Sequence, residues 1–230
     1  MSSSIIIPSI IVVAVTIGII SYYFGKKQSI LRSLSKLKYK DIFQFRTNEP
    51  TKVTGKVLHV HEPFIAPFTK RKCVAFEFKI QQKKSSGKNS YWKTLVKENN
   101  IQDFFVEQKG EVVMIKPNTN PVNFKIYLEA DKKVSSGFLN DPTPEFQDVL
   151  SAYNINSANL FGFNRTLRYT ERILEVGETV TVGGIAKWKA LDTAINGYSY
   201  SKIAALESGD NQKIIITDLP AARVQKQQRL

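Results

Sequence analysis

The sequence is poor in the residues that build metal centres and disulfide frameworks. Its 230 residues include one cysteine and two histidines. This supply excludes a disulfide scaffold and a multi-cysteine zinc module. The sequence also contains no G-x-S-x-G elbow, no Walker loop and no G-x-G-x-x-G turn. The common signatures of nucleophilic catalysis and nucleotide binding are therefore missing.

Acidic residues are scarce relative to basic ones. The chain has 33 Lys and Arg against 20 Asp and Glu, which gives a formal charge of +13 and a pI of about 9.7. Hydrophobic residues make up 42%, enough to form a core, so an intrinsically disordered chain is excluded. The mean hydropathy of −0.21 is too low for a polytopic membrane protein.

One long apolar run is present, at residues 5–24, and it carries no charge. Twenty helical residues at about 1.5 Å each span about 30 Å, the thickness of a hydrocarbon core. No basic residue precedes the run and no small-residue cleavage site follows it, so the sequence does not support a signal peptide. The run therefore predicts a single transmembrane anchor over residues 1–25. Because basic residues follow it, we expect the N-terminus outside and the C-terminal domain in the cytoplasm.

The segment at residues 26–50 is basic and has an amphipathic pattern. Ile30, Leu34 and Leu37 recur at helical spacing. Two interpretations stay open here: a short helix that lies on anionic lipid headgroups, or a flank that only enforces topology. In the first interpretation the lipid-facing residues are Lys26, Lys27, Arg32, Lys36, Lys38 and Lys40.

Residues 51–220 are expected to form a β-rich domain, because short β-branched runs alternate with period two. Residues 141–153 predict a helix, with Thr143 as N-cap and Pro144 in the first turn. The predicted fold is α+β and mainly antiparallel β: an N-terminal single transmembrane helix followed by a β-rich barrel-like domain with one inserted helix. Residues 221–230 are expected to be a polar, basic tail.

A weak internal echo links two segments of this domain. Residues 52–57 (KVTGKV) and 179–187 (TVTVGGIAK) are both runs of β-branched residues interrupted by glycine, and each precedes an expected hairpin. Two small barrel-like units would explain the echo. So would coincidence, because β proteins reuse such patterns.

Candidates for metal binding and nucleophilic catalysis are few. His59 and His61 are expected to share one face of a strand, and with Cys73 they would offer zinc ligands. The basic residues just before Cys73 would lower the pKa of its thiol. Spacing alone is weak evidence, and a lone strand cysteine is more often a small buried hydrophobe. We therefore expect no catalytic residue, no metal and no cofactor.

Binding residues are expected at one charged pair and in two basic loops. Arg168 and Glu171 lie three apart on a strand and should point to opposite faces, in either a structural or a recognition role. The loops would meet anionic lipid rather than nucleic acid, since residues 41–230 carry only a modest excess of basic residues. Their candidate residues are Lys70, Arg71, Lys72, Lys83, Lys84, Lys88, Tyr91 and Trp92.

Three features of the sequence occur together: TGKV at 54–57, a hairpin ending at Lys116-Pro117, and the run Arg168, Glu171, Leu174 and Gly177-Glu178 before a glycine-containing strand. In these residues, and over about residues 35–220, the chain resembles the GIDE family, also called the Beside-A-Membrane domain family. Eukaryotic members carry a second transmembrane helix and a RING finger. This sequence has no second apolar span, and its one cysteine and two histidines cannot supply the eight ligands of a RING.

The resemblance implies a membrane-anchored, non-catalytic interaction domain. Its expected partners are membrane lipid and a membrane-proximal protein. One alternative is a ubiquitin-ligase-like protein that works only with a partner that supplies the RING. A second alternative is nucleic-acid binding through the basic loops.

Overall fold

The computed structural model describes residues 3–158, 162, 164–190 and 202–223, and within the first helix the side chains of residues 12, 13, 15–18 and 20–24. The structure is mostly β. The helices are α1 (Ser3–Phe24), α2 (Lys26–Ser35), α3 (Pro144–Ala152) and α4 (Pro220–Arg223), with a 3₁₀ turn at Ile42–Gln44. The strands are β1 (Lys38–Tyr39), β2 (Glu49–His59), β3 (Phe64–Ile65), β4 (Lys72–Ser86), β5 (Asn89–Ile101), β6 (Phe104–Gln108), β7 (Glu111–Ile115), β8 (Phe124–Tyr127), β9 (Lys132–Ser136), β10 (Leu167–Glu175), β11 (Thr179–Ala190), β12 (Lys202–Glu207) and β13 (Ile214–Thr217).

The predicted transmembrane anchor at residues 1–25 is wrong. In the part of the chain that the structure describes, no helix combines the length and the apolarity needed to cross a membrane. The predicted single-pass topology, with an outside N-terminus and a cytoplasmic domain, depends on this anchor and is therefore wrong as well.

Five strands close into a barrel in the order β2-β6-β7-β12-β11, with β11 pairing back onto β2. If the five barrel strands are numbered along the chain, their order around the barrel is 1-2-3-5-4. Among the neighbouring pairs of this barrel, only β7 and β12 are parallel. The barrel is therefore a five-stranded Greek key of the OB type. Its core is filled by inward-facing apolar residues of these strands, among them Val53, Val57, Val106, Val113 and Val182.

The two echo segments lie side by side in this one barrel. β2 pairs antiparallel with β11, and Val53 lies opposite Val182. Strands β12 and β13 do not pair with each other in the described residues, and instead both pair with β11. The interpretation as two barrel-like units is therefore wrong, because the similar segments do not occupy equivalent places in two units.

A second sheet, in the order β3-β4-β10-β9, lies beside the barrel. Strand β5 also pairs with β4, along the edge opposite β10. Helix α3 covers one of its faces, where Phe146 packs against the ring of Tyr169 with the centroids 6.2 Å apart. The predicted N-cap is confirmed, since the hydroxyl of Thr143 accepts the Phe146 N–H at 3.3 Å. The opposite face of the sheet is polar.

Helix α2 is packed onto the domain. Ile30 and Leu34 of α2 and Leu37, just after the helix, are buried in a cluster with Ala222 of α4 and Leu219, which precedes α4. The apolar stripe therefore faces the domain, and a role of the basic residues at 26–40 in binding lipid headgroups stays a prediction. Part of the expected tail is helical as α4, and residues 224–230 lie outside the described residues.

Candidate functional site

The uncovered face of the second sheet carries a concentration of basic side chains. Along β10, Tyr169, Glu171 and Ile173 turn toward the core, so Arg168, Thr170 and Arg172 turn to the other face. Cross-strand pairing fixes which side chains join them there. This surface, called the basic sheet face below, includes Glu77, Lys79, Gln81, Trp92, Lys97, Lys133, Arg168, Thr170 and Arg172.

Three lysines of the basic sheet face share one row across four strands. Thr170 lies opposite Lys79 of β4 on one side and Lys133 of β9 on the other, and Lys97 of β5 lies opposite Lys79. Neighbouring strands are about 4.8 Å apart, so the row concentrates positive charge within about 15 Å. Like charges directly opposite each other destabilise a sheet. The direct opposition of Lys79 and Lys97 therefore does not favour folding, although Lys79 also lies 4.0 Å from Glu77.

Arginines occupy the rows on either side. The Arg168 guanidinium lies over the Trp92 ring, with Cζ 3.9 Å from the centroid, and its Nε donates to the Gln81 side chain at 2.9 Å. Arg172 pairs with Glu77 at 3.1 Å. A shallow hollow of about 500 Å³ between the arginines is lined by both of them together with Lys79 and Lys133. Its charge and shape suit an anionic group.

The expected separation of Arg168 and Glu171 is confirmed. Glu171 is fully buried, and its carboxylate accepts the N–H groups of Phe68 and Thr69 at 2.9 and 3.1 Å. The hydroxyl of Tyr169 also donates to it, at 2.7 Å. Burial and then this hydrogen bond raise the pKa of Tyr169 far above its ordinary value. Glu171 thus anchors the β3–β4 loop, while Arg168 lies on the open face.

The two candidate basic loops lie far apart. Lys72 and Lys83 are eleven residues apart on β4, a distance of about 36 Å along the strand. Arg71 is held by ion pairs with Asp131 and with Glu175, the latter at 2.7 Å. Trp92 belongs to the basic sheet face through Arg168. The remaining candidates are exposed, on the β3–β4 side or near the end of the β4–β5 hairpin: Lys70, Lys72, Lys83, Lys84, Lys88 and Tyr91.

The basic residues at 26–40 do not form one surface. Lys27 pairs with Glu129 at 3.5 Å and Lys40 pairs with Glu49 at 2.6 Å. The Arg32 guanidinium lies over a tyrosine ring of α1, 4.1 Å from the centroid. Lys36 and Lys38 are exposed, and Lys26 lines a cavity described below.

The metal and nucleophile candidates are not assembled into a site. β2 ends at His59, so the expectation that His59 and His61 share a strand face is wrong, and the His59 ring contacts the His61 carbonyl at 3.1 Å. Cys73 is buried. Burial and then the charge of Glu171 raise the pKa of Cys73 to about 12, opposite to the expected lowering. Among the described residues, no three His, Cys, Asp or Glu side chains are placed to hold a metal.

Four cationic members of the basic sheet face are missing from the expected site residues: Lys79, Lys97, Lys133 and Arg172. The alternation of β4 already placed Lys79 on its polar side. Arg172 is four residues from Arg168 and therefore on the same strand face. Lys97 and Lys133 join the site only through strand pairing, which the local pattern does not reveal.

No family model, no curated protein and no solved structure matches this chain. The resemblance to the GIDE family therefore stays a prediction.

Proposed function

We propose that the protein is a non-catalytic interaction module whose basic sheet face binds an acidic, extended segment of a partner protein. The observation that carries the proposal is the lysine row. Lys79 and Lys97 are held directly opposite each other, and Lys133 lies in the same row. An anion placed over this row would relieve the repulsion between the lysines and gain charge-assisted contacts.

The spacing of the face supports an extended peptide. Arg168, Thr170 and Arg172 define three successive rows, and alternate residues of a strand are about 6.6 Å apart. An extended segment with an acidic residue at every second position presents carboxylates at the same interval. Its central carboxylate would lie over the lysine row, and its outer ones near the two arginines.

Two features favour a protein partner over a nucleic acid. Binding of single strands relies on aromatic faces that are open to the bases. One face of the Trp92 ring is already occupied by the Arg168 guanidinium. The resemblance at Arg168, Glu171 and Gly177-Glu178 also supports a partner-binding domain. The non-catalytic part of the proposal is supported by the burial and raised pKa of the lone thiol, Cys73.

The test is a fluorescence anisotropy titration of the full chain with a labelled ten-residue peptide that carries glutamate at alternate positions. We expect binding that weakens with added salt. The double variant Lys79→Gln/Lys97→Gln should bind about tenfold more weakly, because it removes two charges from the contact. The matched control Lys84→Gln/Lys88→Gln removes two exposed charges near the hairpin end and should change affinity by less than about twofold.

Equal losses in the two double variants would overturn the proposal, because they would indicate attraction by net charge alone. Tighter binding of a single-stranded DNA oligonucleotide of equal charge would replace the protein partner by a nucleic acid.

A further inference from the structure

A second cavity adjoins the basic sheet face. It has a volume of about 610 Å³ and lies between β8 of the barrel sheet and strands β4 and β5. This size is within the range of about 300–1,000 Å³ that small-molecule pockets occupy. Its deep part is formed by buried side chains, and its walls are mainly apolar: Ala75, Phe76, Ile101, Phe124, Ile126 and Leu128.

In the polar lining of the cavity cations outnumber carboxylates, and Asn99, Asn100 and Thr119 add neutral polar groups. Lys26, Lys79 and Arg172 all contribute, and the one carboxylate, Glu77, is paired with Arg172 at 3.1 Å. Lys26 is exposed and the other two cations are partly exposed, so the charged groups lie toward the rim. Val122 also lines the cavity and is 52% exposed, which places it at the mouth.

We infer that this cavity binds an aliphatic monocarboxylate, such as a medium-chain fatty acid. The hydrocarbon chain would lie against Ile101, Phe124 and Ile126, and the carboxylate would meet Lys26 and Arg172 at the rim. The apolar walls alone would accept a neutral or cationic chain equally well. The excess of cations over carboxylates in the lining favours a ligand with an anionic headgroup. This binding is additional to the proposed peptide binding, although Lys79 and Arg172 serve both surfaces.

The test is a calorimetric titration of the full chain with decanoate below its micelle concentration. We expect saturable binding of one decanoate, and binding of decyltrimethylammonium that is at least about tenfold weaker. Val122→Trp narrows the mouth at an exposed position and should weaken decanoate binding by about tenfold or more. Lys26→Gln, also exposed, should weaken it by about threefold, the effect of one partly screened charge.

Lys97 does not line the cavity, so Lys97→Gln is the matched control and should leave decanoate affinity within about twofold. Val122→Trp should in turn leave peptide binding unchanged, which separates this inference from the proposed function. The inference is overturned if decanoate does not bind, if the cationic analogue binds equally well, or if Val122→Trp binds decanoate like the wild type.

Discussion

Lys79 on β4 lies directly opposite Lys97 on β5, on the face of the sheet that α3 leaves uncovered. Sequence and pairing both contribute to this placement. The period-two alternation of β4 sends Lys79 to the polar face, and the antiparallel register brings Lys97 beside it. A like-charge cross-strand pair destabilises the isolated sheet, and this cost is the reason we propose a contact outside the chain.

This relationship predicts that stability and binding change in opposite directions. Lys97→Gln should raise the free energy of unfolding by about 0.2–1 kcal/mol, because it removes a like-charge cross-strand pair. The same variant should weaken binding of the acidic peptide. Urea unfolding and anisotropy titrations measure the two effects. Lys88→Gln, at an exposed hairpin position, is the control, and similar stabilisation by both variants would mean that only net charge matters.

Substitutions of Glu171 should mainly reduce stability, whereas substitution of Arg168 should mainly reduce peptide binding. Glu171→Ala leaves two backbone N–H groups and the Tyr169 hydroxyl without their acceptor, at about 1–3 kcal/mol each. We expect a loss of at least about 3 kcal/mol in urea unfolding, and a smaller loss for Glu171→Gln. Arg168→Gln should cost less than about 1 kcal/mol but weaken peptide binding. A stability loss for Arg168→Gln equal to that of Glu171→Ala would contradict this division.

Cys73 should be chemically inert in the folded protein. Its side chain is buried, and burial raises the pKa of the thiol to about 12. Since the thiolate is the reactive form, alkylation by iodoacetamide at pH 8 should be at least roughly a hundredfold slower in the native protein than in urea. Mass spectrometry of timed samples follows the reaction. Comparable rates in the two states would show that the thiol is accessible.

Asp218 should make stability depend on pH. Burial raises the pKa of this carboxyl to about 6, although the Glu129 N–H donates to it at 2.9 Å. The unfolded value is about 3.9, so the folded state binds the proton more tightly and the free energy of unfolding increases as pH falls through 6. Between pH 7.5 and pH 5 the gain should be about 1 kcal/mol.

Asp218→Asn removes this titration, and comparing its urea midpoints with those of the wild type cancels the contributions of other groups. We expect the variant to lose the extra stabilisation of the wild type at pH 5. Parallel pH profiles for the two proteins would contradict the assignment to Asp218.

Gly55 should not tolerate a side chain. A Cβ atom there would lie 2.1 Å from the Glu107 carbonyl oxygen and 2.8 Å from a methyl group of Val106 on the neighbouring strand. Backbone cannot yield cheaply, so Gly55→Ala should cost about 3 kcal/mol in thermal or urea unfolding. Gly137→Ala is the control, because its Cβ would meet only Thr166 Oγ1 at 3.7 Å. Equal stability of both variants would refute the close approach of β2 and β6.

Local pattern predicted much of the fold where the signal lies within a strand or a turn. The hairpin that ends at Lys116-Pro117 is confirmed as β6–β7, and its turn residues Lys109 and Gly110 have positive φ angles, 54° and 85°. β9 was missed because its sequence, KKVSS, is short and basic, and the strand forms against β10. Barrel closure was also hidden, since the parallel β7–β12 pairing joins Val113 to Ala204 across a long stretch of chain.

The site was less predictable than the fold, for a related reason. Arg168 and Trp92 were both expected to bind a partner, yet their contact depends on two strand pairings through β4. The apolar run at residues 5–24 predicts a membrane span, but in the described part of the chain no helix has the length and apolarity to cross a membrane. The stripe of α2 is buried against the domain, a partner that periodicity cannot identify.

The most direct test of the proposed binding surface is zero-length carbodiimide crosslinking of the full chain to the alternating-glutamate peptide, followed by mass spectrometry. The reagent joins a carboxylate to a lysine only when the two are in contact, so it identifies the lysines that the peptide covers. We predict crosslinks at Lys79, Lys97 and Lys133. Crosslinks at Lys70, Lys72, Lys84 or Lys88 in their place would contradict the account.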